Sequence, residues 1–305
     1  MRSRRSLPTA FALVALLAAS AAGLSGCAEP GAGDARQVAD WIGAQPHVES
    51  AESSVSTDPW NHGVSFLVRV DPAISDEELT ALTGAAERRA RDAGWEHPSL
   101  NWHLGENQAF SELGGAATLA VFLGLRHDPR YLAVGARGNA PCGTFYCVTL
   151  ASSEPAVLLG AVEHLLALAA DAGGVQSNLE FRAVSDDGLF AVTAEPDAPA
   201  DAAVALWRTI AAEVPLAAAD VWVVEPVGDI APAQTLQITV ADAAAASAAQ
   251  AIAAEVAAGV ASGATDAGTA ASVTLRVTTL DGSTAAPAPP APPVPPAPRD
   301  SSAAR

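Results

Sequence analysis

One order of predicted elements occurs three times along the chain, at a period of about 80 residues. Each copy begins with a predicted helix that carries an apolar pair at positions i and i+3 and is followed by a proline. The three pairs are Val38/Trp41, Leu119/Phe122 and Val204/Trp207. Since a repeated supersecondary unit buries its apolar surface against its neighbours, this repeat limits the possible folds more than composition does.

Two strand-like segments follow each first helix, a pattern typical of β-hairpins. The extended segments that come first are His47–Val55, Tyr131–Arg137 and Asp220–Val227. Their predicted partners are Val64–Val70, Thr144–Leu150 and Thr235–Val240.

A second helix is predicted next in each copy. Ser75 and Glu78 form a capping-box pattern, and Ser153 and Asp242 are the predicted N-caps of the other two helices. The predicted buried stripes are Leu79/Leu82/Ala86, Leu158/Val162/Leu165/Ala169 and Ile252/Val256/Val260.

A further strand ends each copy, and an additional strand is predicted in the first two copies. The further strands are Ser99–Leu104, Asn178–Val184 and Ser272–Thr278, and the additional ones are Gln108–Leu113 and Leu189–Thr193. The crossover helix should place each further strand beside an earlier, parallel one. The sequence therefore predicts an α+β fold of three tandem helix-strand-strand-helix-strand units, with small mixed sheets that carry two helices each on one face.

The predicted organisation has six segments. They are a signal peptide (residues 1–26), a flexible tether (27–33), repeat 1 (34–115), repeat 2 (116–196), repeat 3 (197–283) and a Pro/Ala-rich tail (284–305). The tail is expected to be polyproline II grading into disorder, because its many prolines exclude packed secondary structure.

The N-terminus has the layout of an export signal. Basic residues at Met1–Arg5 precede an apolar run at Ala10–Ala22, and Leu24-Ser25-Gly26-Cys27 follows. This last segment resembles the lipobox of bacterial lipoproteins. The resemblance implies cleavage before Cys27, diacylglycerol on its sulfur and an acylated new N-terminus. An ordinary cleaved signal with an incidental cysteine is the alternative.

The order of elements in each copy resembles that of BON modules, small envelope domains that occur in tandem. The resemblance implies association with phospholipid surfaces or with other cell-envelope components. Other small α+β sandwiches with a ferredoxin-like order fit the same pattern.

Cys142 and Cys147 lie at the predicted turn into the second strand of repeat 2. Outside the cytoplasm such a pair is more often a disulfide than a metal site, and the five-residue separation permits closure if the chain turns back between them. Two free thiols are the alternative.

Repeat 1 concentrates tryptophan and histidine, and its possible ligand patch comprises Trp60, His62, Trp102 and His103. With Asp58 or Asp71 nearby, these side chains could bind a metal ion or a sugar ring. The alternative interpretation places Trp102 in the core and the histidines on a solvated face, because neighbours on a strand alternate between faces.

Charge and motif content restrict the function. A formal net charge of −18 disfavours nucleic acid as a partner. The sequence has no lysine, no nucleophile elbow and no phosphate-binding loop, which favours a non-enzymatic protein without a cofactor other than lipid on Cys27.

These observations predict a lipid-anchored, extracytoplasmic binding or structural module of the cell envelope. Its expected partners are the membrane, through the anchor, and an envelope polymer or another envelope protein. The alternatives are a hydrolase or metal-dependent enzyme that uses the His/Asp cluster of repeat 1, and a carrier of apolar ligands.

Overall fold

The computed structural model describes most of the predicted repeats, in residues 31–56, 63–111, 115–137, 142, 146–173, 179–196, 198–224, 233–261 and 273–280. These residues form six helices and eleven strands, so the fold is mixed α+β with a mixed sheet. In chain order the elements are α1 (Ala32–Gly43), β1 (Val48–Val55), β2 (Val64–Val70), α2 (Asp76–Asp92), β3 (Ser99–Leu104), β4 (Gln108–Ser111), α3 (Ala116–Leu125), β5 (Tyr131–Ala136), β6 (Tyr146–Leu150), α4 (Pro155–Asp171), β7 (Phe181–Ser185), β8 (Phe190–Ala194), α5 (Asp201–Ala211), β9 (Leu216–Val224), β10 (Ala233–Val240), α6 (Ala243–Ala261) and β11 (Val273–Thr279).

The chain divides into two compact units. Unit 1 comprises residues 1–149 and 165–175, and unit 2 comprises residues 150–164 and 176–305. The observed order of elements agrees with the predicted order, including the additional strands β4 and β8.

In unit 1 the strands lie side by side in sequence order, from β1 to β6. β1 and β2 are antiparallel, as are β3 and β4, whereas β2/β3 and β4/β5 are parallel pairs. A helix connects the strands of each parallel pair, because a parallel partner can be reached only through a long crossover.

In unit 2 the strands β7 to β11 also lie side by side in sequence order. β7/β8 and β9/β10 are antiparallel, and β8/β9 and β10/β11 are parallel. The predicted parallel position of the last strand in repeat 3 is thus observed.

Local sequence explains where several helices begin. The Glu78 amide donates to the Ser75 hydroxyl (3.2 Å), and the Ser75 amide donates to the Glu78 carboxylate (3.1 Å), which completes the predicted capping box of α2. Asp242 caps α6 by accepting from the amides of Ala244 and Ala245.

The predicted N-cap at Ser153 is wrong. α4 begins at Pro155, and the Glu154 carbonyl accepts the first helical hydrogen bond, from Leu158 (3.1 Å). Proline suits the first helical position because its ring presets φ and its missing N–H would have no partner there.

Aromatic rings fill the core of unit 1. Trp102 of β3 stacks on Phe110 of β4, with ring centroids 6.0 Å apart, and Phe122 of α3 lies 4.6 Å from Phe110. All three side chains are fully buried. These contacts place α3 on the sheet face that carries Trp102 and Phe110.

In unit 2, α5 packs on the face that carries Phe190 of β8. The Trp207 ring stacks 6.0 Å from the Phe190 ring, and the Ala203 amide of α5 donates to the Gln234 side chain of β10 (2.7 Å). α6 packs beside α5 and against β10 and β11.

The stripe predicted for α6 is wrong. Ala246 and Ala249 are the buried residues, whereas Ile252 is half-buried and Val256 is exposed. The Val260 side chain lies outside the described residues. In α2 and α4 the predicted stripes are buried.

The signal peptide, the lipobox and the Pro/Ala-rich tail lie outside the described residues. α1 begins at Ala32, so the last two residues of the predicted tether are helical. Within the described part of the chain, no helix is both long enough and apolar enough to cross a membrane.

Candidate binding face

Side chains that alternate with the core residues form a second sheet face, opposite to the helix contacts described above. We call its hydrophilic parts the polar face of unit 1 (Ser65, Arg69, Asn101, His103 and Ser111) and the polar face of unit 2 (Arg182, Thr193, Asp220, Trp222 and Arg276).

Asn101 organises the polar face of unit 1. Its amide nitrogen donates to the hydroxyl oxygens of Ser65 (3.1 Å) and Ser99 (3.3 Å), and Ser111 lies opposite it on β4. Asn101 and Ser111 are buried. Asn101 therefore has partners inside the sheet, whereas the buried Ser111 hydroxyl has no hydrogen-bond partner.

His103 lies opposite Arg69 of β2. Burial, with a smaller contribution from the Arg69 charge, lowers the pKa of His103. Its Nε2 atom is buried without a hydrogen-bond partner. Both effects favour the neutral imidazole.

Trp102 does not share a ligand surface with His103. Adjacent residues point to opposite faces, so Trp102 is fully buried in the core while His103 lies on the polar face. Trp60, His62 and Asp58 of the predicted cluster lie outside the described residues. The Asp71 carboxylate accepts from the Ala73 amide (2.9 Å) in a turn.

An ion pair lies on the polar face of unit 2. Arg182 of β7 donates to the Asp220 carboxylate of β9 (3.0 Å) and to the Thr193 hydroxyl of β8 (3.0 Å). Burial raises the pKa of Asp220, and Arg182 opposes that shift. The second Asp220 oxygen is buried without a hydrogen-bond partner. The hydrogen bonds of Arg182 thus join three strands, β7, β8 and β9.

Trp222 and Arg276 lie beside this ion pair. The guanidinium of Arg276 lies 5.7 Å from the centre of the half-buried Trp222 ring, within the range of a cation–π contact. Gln237 of β10 lies opposite both Asp220 and Arg276, so one row of polar side chains crosses β9, β10 and β11. Two guanidinium groups and one carboxylate give this part of the face a local positive charge in an acidic protein.

Cys142 and Cys147 have Cα atoms 5.9 Å apart and sulfur atoms within bonding distance. This separation fits a disulfide. The pairing itself stays a prediction, for which mass measurement before and after reduction is the test.

Among the described residues, no three His, Cys, Asp or Glu side chains are grouped so that they could hold a metal ion. Sequence reasoning did not name Arg182, Asp220, Trp222 or Arg276 as site residues. The alternation Asp220-Val221-Trp222 was the available signal, since it predicts a strand with one polar face.

Comparison with known proteins adds no further constraint. No protein-family model matches this chain, and no curated protein matches it. The chemistry of the polar faces is the basis for inferring function.

Proposed function

We propose that this chain is a lipid-anchored protein of the bacterial envelope that binds an envelope polymer through the polar face of unit 2 and catalyses no reaction. The observation that carries this proposal is the grouping of Arg182, Asp220, Trp222 and Arg276 on a sheet face opposite to the observed helix contacts. We further propose that residues 34–115, 116–196 and 197–283 are copies of one unit, which the order of elements supports.

The chemistry of this face suits a polymer with hydroxyl and acidic groups. Guanidinium groups present several N–H donors in one plane and bind carboxylates or phosphates in pairs of hydrogen bonds. Trp222 supplies a flat apolar surface, and Gln237 adds hydrogen-bonding groups. Thr193 is buried and holds Arg182 in place. Such a mixture of one aromatic surface and a few fixed polar groups is typical of ligand sites.

The lipobox supports the anchor. Diacylglycerol and an N-terminal acyl chain on Cys27 would supply more than one buried chain, and stable membrane attachment needs at least two such signals. Attachment outside the cytoplasmic membrane would place the polar face of unit 2 within reach of envelope polymers.

Two observations favour binding over the alternative functions. His103 lies opposite Arg69, and a cationic neighbour does not assist an imidazole that must accept a proton. A carrier would need a large cavity under the helices, whereas Trp102, Phe110 and Phe122 fill that space in unit 1.

Binding is tested by co-sedimentation of the purified protein with purified cell-wall sacculi. We expect Trp222→Ala and Arg276→Gln each to weaken binding at least about tenfold, since each removes a central contact group. Arg208→Gln is the matched control, because Arg208 is an exposed arginine on α5. Equal binding by all four proteins, or no binding by the unmodified protein, would overturn the polymer proposal.

The anchor is tested separately by cell fractionation and intact mass. The native protein should be found in the membrane fraction with the mass of residues 27–305 plus acyl chains. Cys27→Ser should abolish acylation and remove that added mass. An unacylated native protein would contradict the anchor without affecting the test with sacculi.

A further inference from the structure

The strand β11 forms one edge of the sheet. It pairs with β10, and no other described strand pairs with it. Leu280 donates its amide to the Val240 carbonyl (3.1 Å), and alternate amides along a strand point the same way. The N–H groups of Val273, Leu275 and Val277 therefore point away from β10.

The corresponding strands of the earlier copies have a covered edge. β3 is paired with antiparallel β4, and β7 with antiparallel β8. On the helix-bearing face, Leu100 and Trp102 of β3 and Phe181 of β7 are fully buried. Val273 and Leu275 of β11 are only half-buried. Within the described residues, β11 is therefore less completely covered than β3 and β7.

Some apolar side chains of α6 and the residue after β11 are also incompletely buried. Ile252 is half-buried, and Val256 and Leu280 are 37% and 67% exposed. A strand that pairs with β11 would cover the half-buried Val273 and Leu275.

The first strand of unit 1, β1, is protected in ways that β11 is not. β1 carries the exposed residues Glu49 and Glu52 and a register shift between Val48 and Ser50, and both charges and bulges hinder pairing with another strand. The single charge of β11, on Arg276, lies over Trp222.

The sequence that follows β11 is rich in proline. Eight of the twelve residues from Pro287 to Pro298 are prolines. Proline has no N–H to donate, so this segment cannot continue the hydrogen-bonded sheet.

We propose that β11 pairs antiparallel with β11 of a second copy of this chain, around a two-fold axis perpendicular to the sheet. Antiparallel pairing is also how β4 covers the edge of β3 and how β8 covers the edge of β7. The two-fold axis also places α6 of the second copy on the same face of the sheet. A register centred on Leu275 sets Arg276 opposite Thr274 of the second copy and avoids an unfavourable arginine pair. This inference does not depend on polymer binding.

Sedimentation equilibrium of the full acylated protein in density-matched detergent tests the dimer. We expect a dimer mass for the unmodified protein, and Leu275→Lys should raise its dissociation constant at least about tenfold by placing a charge at the new interface. Leu189→Lys is the matched control, because Leu189 is 49% exposed in the β7–β8 turn, and it should remain dimeric.

Hydrogen exchange of the unmodified protein provides a second measurement that does not depend on the folding of a variant. The amides of Val273, Leu275 and Val277 should exchange more slowly at concentrations above the dissociation constant than below it. A monomer at every concentration would overturn the proposal. A dimer that Leu275→Lys leaves unchanged, with concentration-dependent protection at β1 instead, would also overturn it.

Discussion

The cores under α3 in unit 1 and under α6 in unit 2 are built from different side chains. Trp102, Phe110 and Phe122 stack in unit 1, whereas α6 contributes Ala246 and Ala249. Both regions nevertheless have helices packed on one sheet face. The order of elements therefore tolerates very different side-chain volumes, but alanine buries less apolar area and stabilises its helix less.

The largest expected effect comes from replacing one of two tryptophans. Trp102→Ala should lower the free energy of unfolding by about 3 to 5 kcal/mol, because it leaves a cavity among packed rings. Trp222→Ala, on the half-buried polar face of unit 2, should cost about 1 kcal/mol. Urea denaturation of both variants measures the two free energies of unfolding. Equal losses would mean that Trp102 in the aromatic core stabilises the protein no more than the half-buried Trp222.

A buried arginine further strengthens unit 1. Arg126, at the end of α3, donates to the carbonyls of Pro72 (3.1 Å) and Ile74 (2.9 Å) and pairs with Asp76 (3.2 Å). Arg126→Ala should destabilise the protein by about 2 to 3 kcal/mol, since these acceptors lose their partner.

Arg130→Ala is the control for Arg126→Ala. Arg130 forms an ion pair with Asp128 at the surface, where such pairs contribute little to stability. Thermal unfolding of the two variants should therefore separate them clearly. Similar melting temperatures would show that Arg126 does not connect α3 to the turn before α2.

Hydrogen exchange sharpens the comparison between helices. The amides of α6 should exchange at least about tenfold faster than those of α2, because α2 buries Leu79 and Leu82 where α6 buries alanines. Equal protection of the two helices in dilute solution would show that alanine packing stabilises α6 as much as leucine packing stabilises α2.

The smallest expected effect concerns pH and His103. Its pKa is lowered in the folded chain, so the unfolded chain binds a proton more readily near pH 6.5. Above pH 6.5 His103 is neutral in both states and does not lower the stability of the folded chain. As the pH falls below 6.5, the unfolded chain takes up the proton first and the folded chain loses stability.

His103→Gln should reduce the loss of stability between pH 7.5 and pH 5.5, as measured by urea denaturation at both values. His97→Gln serves as the control, because His97 is an exposed histidine of the same unit, and it should behave like the unmodified protein. An unchanged pH dependence in His103→Gln would contradict the burial of the imidazole.

Sequence patterns predicted most elements because their causes are local. The bounds of β2 and β3 coincide with the predicted strands, and the capping box at Ser75 marks the start of α2. β9 begins at Leu216, four residues before the predicted start at Asp220. Its alanines have little strand preference, and pairing with β10 overrides that preference.

The candidate site was less predictable from the same patterns. Arg182 and Asp220 are 38 residues apart, and they meet because β8 lies between β7 and β9. Strand order and register depend on contacts across the whole sheet, which no local window of sequence contains.

The sequence by itself determined the caps at Ser75 and Asp242, the alternation along strands and the order of elements, since these depend on residues within a few positions of one another. Only the tertiary structure decided which face each strand buries, and it separated Trp102 from His103 and placed Arg276 over Trp222. The reason is physical: a shift of one residue in register exchanges the two faces of a strand, and packing across the sheet selects between them.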